Sequence, residues 1–213
     1  MVATGAPADA GAQGVMTTAD LPAVPVRPGW LARACLRLAG WRLEGSAPTV
    51  PKYVLIGAPH TSNWDFVLAL LVKSALGIRF CWIGKDSLFR FPFGGFMRWL
   101  GGIPVNRRVR SNFTEQMVAR FCAHRELSVV ITPEGTRSRT EYWKSGFYHV
   151  ALGAGVPVVL GFVDYRRRRL GIGPVITLTG DREADMKVIR EFYADKSGLH
   201  PEKQGQIRLR SRS

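Results

Sequence analysis

Cysteine is scarce and scattered in this 213-residue chain. The three present, Cys35, Cys81 and Cys122, include no C-x-x-C pair, which argues against a zinc site or disulfide framework and for a reducing compartment. Acidic residues are few as well: 16 Asp and Glu face 30 Lys and Arg, for a net charge of +14. That imbalance selects an anionic partner, whether nucleic acid, an anionic membrane surface or a phosphorylated substrate. Long apolar runs are missing too. The longest, residues 66–82, is interrupted by Lys73, Gly77 and Arg79 and falls short of the ~20 apolar residues of a spanning helix. Residues 1–29 have neither the charged start nor the apolar run of a signal peptide. No G-x-S-x-G nucleophile elbow occurs, and His124, His149 and His200 stand at no metal-ligand spacing.

What remains is a globular composition, 46% hydrophobic and 22% charged, long enough for one domain with a substantial core. The Ala-, Gly- and Pro-rich residues 1–29 read as a disordered leader. Residues 30–198 read as the folded domain, and the polar, basic residues 199–213 as a flexible tail. Within the domain, strand-like apolar runs (53–57, 79–83, 127–132, 156–163 and 175–178) alternate with helical patterns (63–76, 93–100, 112–124, 145–153 and 185–193). A short extended piece covers 103–106. This alternation predicts an α/β fold, a mostly parallel sheet flanked by helices. Residues 30–43 predict an N-terminal amphipathic helix with Trp30, Leu31, Ala34, Leu38 and Trp41 on one face, beside Arg33 and Arg37. Such a helix either lies on a membrane surface or packs on the core.

Two polar clusters follow predicted strands, where α/β sheets place ligands. The first is Gly57-Ala58-Pro59-His60-Thr61-Ser62-Asn63-Trp64-Asp65. On one continuous helix His60 and Asp65 would point about 140° apart. They meet if His60 stays in the loop, Ser62 or Asn63 caps the helix and Asp65 occupies its first turn. A carboxylate on one ring nitrogen would raise the basicity of the other, giving the base half of a catalytic triad without an enzyme nucleophile. The alternative is a capped helix start with a surface histidine. The second cluster is Thr132-Pro133-Glu134-Gly135-Thr136-Arg137-Ser138-Arg139, whose bent backbone and guanidiniums suit an anion or form an ordinary turn. A third segment, Gly101-Gly102-Ile103-Pro104-Val105-Asn106-Arg107, ends an apolar run in Arg.

In this order the pieces resemble the glycerolipid or lysophospholipid acyltransferases, the 1-acylglycerol-3-phosphate acyltransferase-like family. His60 and Asp65 match its H-x4-D motif. Residues 101–107 look like its G-x-x-x-I-x-R block, 132–138 like F-P-E-G-T-R-S, and 156–160 like V-P-I-I-P. Lys144-Ser145-Gly146 fits a Lys-x-Gly step after the third block. Pro104, Asn106 and Thr132 depart from the usual residues. The resemblance implies transfer of an acyl group from acyl-CoA or acyl-carrier protein to a lysophospholipid hydroxyl, with His60 as general base and Asp65 orienting it. Gly102, Arg107, Glu134, Gly135, Thr136 and Arg137 would bind substrate. Arg107 and Arg137 would take the acceptor phosphate, and amides near Gly102 or Gly135 the oxyanion. No metal or other cofactor is implied.

The expected setting is cytoplasmic, peripheral on the inner face of the cell membrane, through residues 30–43 and the arginine run at 166–169. That run reads as a hairpin or loop tip. It is either solvated or meets lipid headgroups, coenzyme A phosphates or an acidic carrier protein. Nucleic acid is not expected. The rival expectations are a glycolipid or ornithine-type acceptor, or a non-catalytic basic protein that binds lipid or nucleic acid.

Overall fold

The computed structural model describes residues 28–105 and 113–210; most of the expected leader, together with Asn106 and Arg107, lies outside them. A seven-stranded sheet is built from β1 (Arg42–Glu44), β2 (Lys52–Ala58), β3 (Cys81–Lys85), β4 (Gly102–Val105), β5 (Leu127–Ile131), β6 (Val158–Asp164) and β7 (Arg169–Ile176). The spatial order is β1-β7-β6-β2-β5-β3-β4. Strands β2 to β6 are mutually parallel, whereas β7 is antiparallel to β6 and carries β1 parallel to itself. The expected α/β architecture is therefore present.

Helices cover both faces: α1 (Trp30–Leu38), α2 (Trp64–Leu76), α3 (Gly94–Trp99), α4 (Phe113–Ala123), α5 (Gly146–Ala154) and α6 (Arg182–Tyr193). Alternation along the central strands divides the core. Val54 and Ile56 of β2, with Val158 and Leu160 of β6, join Met117 of α4, Phe147 of α5 and Ile189 of α6. Tyr53, Leu55 and Val159 point the other way, to Leu36 of α1 and Leu68 and Val72 of α2. A strand buried on both faces must be apolar at every position, which is why YVLIG is an unbroken run.

The connections explain where a site can form. From β2 the chain passes through α2 and beyond β5 to reach β3, while from β5 it passes through α5 and beyond β2 to reach β6. The chain leaves the neighbouring strands β2 and β5 in opposite directions, with α2 on one face and α5 on the other. This is a topological switch point, where a crevice opens beyond the strand ends.

Three expectations need correction. The N-terminal helix ends at Leu38, not 43: Gly40 adopts φ +75°, and Arg42–Glu44 turn away to pair with Arg169–Gly171. The last strand begins at Arg169 rather than 175, hidden in the sequence by Gly171, Gly173 and Pro174. The segment after Gly198, expected as a flexible tail, lies against the domain as far as residue 210. There the Trp143 amide donates to Arg208 O at 2.8 Å, and the His200 amide donates to Thr61 Oγ1 at 3.2 Å.

Candidate active site

Both motif loops sit at the switch point. His60 follows β2, and Glu134 follows β5. His60 stays in the loop and Asp65 occupies the first turn of α2. His60 Nδ1 lies 3.1 Å from Asp65 Oδ2. A carboxylate only accepts, so Nδ1 carries the proton of the neutral ring and Nε2 its lone pair. His60 keeps 22% of its side chain exposed and Asp65 only 7%, so the imidazole reaches solvent while its carboxylate partner is shielded.

Asp65 is held from several directions. Its Oδ2 also accepts the Thr61 amide at 2.8 Å and the Ser62 amide at 2.9 Å, while Oδ1 accepts the Tyr165 hydroxyl at 2.7 Å. Ser62 Oγ accepts the Trp64 amide at 3.2 Å just ahead of α2, whose N-cap residue Asn63 makes no side-chain capping bond. Burial pushes the Asp65 carboxyl up. The hydrogen bonds from His60, Ser62 and Tyr165, with the His60 charge, outweigh this and hold it below the usual value. It therefore stays ionised and acts only as an acceptor.

Glu134 joins the two loops, its Oε1 accepting the His60 amide at 3.1 Å. It is buried, and Oε2 has no hydrogen-bond partner among the described residues. Burial raises its carboxyl to about 7, against the hydrogen bonds from its own amide and from His60. Beside it, Ala58, Trp143, Tyr193, Gln204 and Ile207 line a cavity of about 30 Å³. Tyr193 donates to Gly161 O at 2.8 Å.

The turn after Glu134 is more open. Gly135 adopts φ +64°, and a Cβ there would meet the Lys144 side chain at 2.6 Å. Its amide donates to Thr132 O at 3.0 Å, and Thr136 Oγ1 accepts the Ser138 amide at 3.3 Å. Thr136 and Arg137 are exposed. Gly102 is not brought to the dyad. It begins β4, opposite Trp82, and lies three strands from β2. At about 4.8 Å per strand this is about 14 Å away. A Cβ there would strike the Phe89 ring at 2.6 Å and Met97 O at 2.7 Å, so this glycine makes room for packing. The Gly135 amide is occupied within its own turn. Arg107 lies outside the described residues.

The model of the Acyltransferase family matches residues 43–159, more than half of the chain and all of both motif loops. The chain belongs to the acyltransferase family. Among curated members, the 1-acyl-sn-glycerol-3-phosphate acyltransferase of Escherichia coli is 35% identical over 108 residues, covering 48% of this chain and 43% of that protein. The enzyme of the same name from Haemophilus influenzae is 32% identical over 133 residues, covering 57% and 53%. The chain thus spans about half the length of the curated acyltransferases it matches. The crystal structure of the 1-acyl-sn-glycerophosphate (LPA) acyltransferase from Thermotoga maritima shares the fold. Its TM-score is 0.54, with 18% identity over 76% of this chain and 73% of that one.

Tyr165 escaped the motif reading. It lies beyond the family match, in the β6–β7 turn, 100 residues from the carboxylate it contacts. Its ring packs edge-on against Trp41, with centroids 5.1 Å apart. The available signal was slight: a tyrosine just past the end of a core strand that runs parallel to β2.

Proposed function

We propose that this acyltransferase moves an acyl group from a thioester to the hydroxyl of a lysophospholipid such as 1-acylglycerol-3-phosphate. The observation that carries the reading is the His60–Asp65 dyad, in a loop that also contacts Glu134 of the second motif. His60 Nε2 takes the proton as the acceptor oxygen attacks the thioester carbonyl carbon. The tetrahedral adduct then collapses, the C–S bond breaks, and the imidazolium returns its proton to the departing thiolate. Nucleophile and leaving group both belong to substrates.

Glu134 fixes the His60 loop from the side of the second motif. Arg137, exposed beside it, offers a planar fork to the acceptor phosphate, with Arg107 as its partner from the second block. The donor is acyl-CoA or acyl-carrier protein, without a further cofactor. A lipid acceptor places the protein peripherally on the inner face of the cell membrane. No helix among the described residues is long and apolar enough to cross a bilayer.

The test is a matrix of donors and acceptors read by thiol release. Acyl-CoA and acyl-carrier protein are each offered lysophosphatidate, a lyso-glycolipid and a lyso-ornithine lipid. Turnover greatest with lysophosphatidate supports the reading. Preference for an acceptor lacking phosphate overturns it.

A further inference from the structure

The largest concentration of exposed apolar rings lies between β3 and β4, on the edge of the sheet that carries His60. Leu88, Phe91, Phe93, Phe96 and Trp99 are all exposed, Phe91 to 98% and Trp99 to 64%. Their segment is firmly seated. Phe89 is buried and stacks on Trp82 at 5.7 Å. It occupies a socket that a Cβ at Gly84 or Gly102 would fill, at 2.9 and 2.6 Å. Lys73 Nζ donates to Phe80 O and Leu100 O, tying both flanks to α2. Phe96 and Trp99 stack on each other at 5.8 Å. The rings are therefore held outward by an ordered base.

The segment's base also touches the helix that carries Asp65. Phe66 of α2 meets Trp82 edge-on at 4.9 Å, and its neighbours Trp64 and Val67 are exposed in the first two turns of the same helix as Asp65. Basic residues are interleaved: Lys85, Arg90 and Arg98 are exposed in this segment against a single acid, Asp86. Exposed rings mixed with cations fit the interface of an anionic bilayer, where rings enter the headgroup region and cations meet lipid phosphates.

The elements that composition favoured are less suited. Within the arginine run, Arg167 binds Asp195, Arg168 binds Ala39 O and Arg169 binds Glu44. Trp30 and Leu31 begin a helix whose entry, Gly29, bonds Ser74 near the far end of α2. Ser74 is nine residues beyond Asp65, about 14 Å along the helix.

We infer that residues 88–99, with Trp64 and Val67, form the face that docks on an anionic lipid surface and presents the mouth of the site to it. The purpose rests on the lipid-acceptor reading above. The docking itself is tested without turnover.

The full chain and the triple variant Phe91→Ser/Phe93→Ser/Trp99→Ser are sedimented with vesicles of phosphatidylcholine alone and with added phosphatidylglycerol. The wild type should bind the anionic vesicles, and the triple variant should lose at least tenfold in partitioning. Arg90→Gln alone should lose about fivefold. Circular dichroism should match throughout, because the altered side chains are exposed. Turnover of a short-chain acceptor below its micellar concentration should persist in the variant, while turnover of vesicle-borne acceptor falls. Unchanged vesicle binding overturns the inference, as does loss of activity on dispersed acceptor, which would make the segment part of the acceptor pocket. A wild-type dimer that the triple variant converts to monomer, with vesicle binding intact, also overturns it by assigning the face to a second copy.

Discussion

The loop after β2 and the turn after β5 meet across one crevice but are held differently. In the first, four hydrogen bonds converge on Asp65, from His60, Thr61, Ser62 and Tyr165. In the second, the carboxylate is buried while Arg137 beyond it stands in solvent. A base must be preorganised before the transition state, whereas a charged ligand for a diffusing acceptor must be reachable. On the proposed mechanism, the first motif would set turnover and the second acceptor binding.

The largest effect is expected at the base. His60→Ala should lower kcat by about 10²–10⁴-fold with the fold intact by circular dichroism. Asp65→Asn should approach the same loss, since an amide misorients the ring or fixes the wrong tautomer. Steady-state thiol release measures both. Retention of more than about a tenth of wild-type activity in His60→Ala would remove it from the mechanism.

The two buried carboxyls should give opposite pH dependences of stability. Asp65 is held below its ordinary value, so its contribution is present above the usual carboxylate range and is lost as pH falls. Glu134 is raised from 4.5 to about 7, so its contribution is full below about 4.5 and is lost as pH rises through about 7. At ~1.4 kcal/mol per unit this is on the order of 3 kcal/mol. Urea unfolding of Glu134→Gln at pH 4.5 and 7.5 should lack that decline relative to the wild type. Parallel pH profiles would show that the Glu134 carboxyl titrates alike in the folded and unfolded states.

On the open side, Arg137→Lys keeps the charge and loses the planar fork. Acceptor kcat/KM should fall about 10- to 150-fold, mostly through KM, if one charge-assisted hydrogen bond of ~1.5–3 kcal/mol is lost. A selective rise in the donor's KM would move Arg137 to the coenzyme A or carrier phosphate. Tyr165→Phe is the mildest change. It leaves Asp65 with three of its four bonds and should reduce kcat about 2- to 10-fold without changing KM. An altered acceptor KM instead would place Tyr165 in substrate binding rather than in positioning.

Much of this was legible beforehand for identifiable reasons. The central strands are apolar at consecutive positions because both faces are covered, and so VLI and VVL stand out in the sequence. His60, Asp65 and Glu134 were legible because strand ends, a helix cap and a Pro-Glu-Gly turn occur within a few residues of one another. Contacts made at long range were not. Tyr165 reaches Asp65 across 100 positions, and the His200 amide reaches Thr61 across 139, so no local pattern could register either. The packing role of Gly102 was not legible, because a glycine that admits a ring and one that admits a ligand look alike in sequence. Its socket for Phe89 exists only in three dimensions.

The claim that most needs testing is direct attack by the acceptor, with His60 as base and no acyl-enzyme. Rapid mixing of the enzyme at substrate-like concentration with acyl-CoA, before and after addition of lysophosphatidate, addresses it in one trace. Direct attack predicts no thiol burst without acceptor, release that begins only when lysophosphatidate is added, and no acceptor-dependent release in His60→Ala. A burst of thiol stoichiometric with enzyme in the absence of acceptor would contradict it, because a side chain of the protein would then have taken the acyl group.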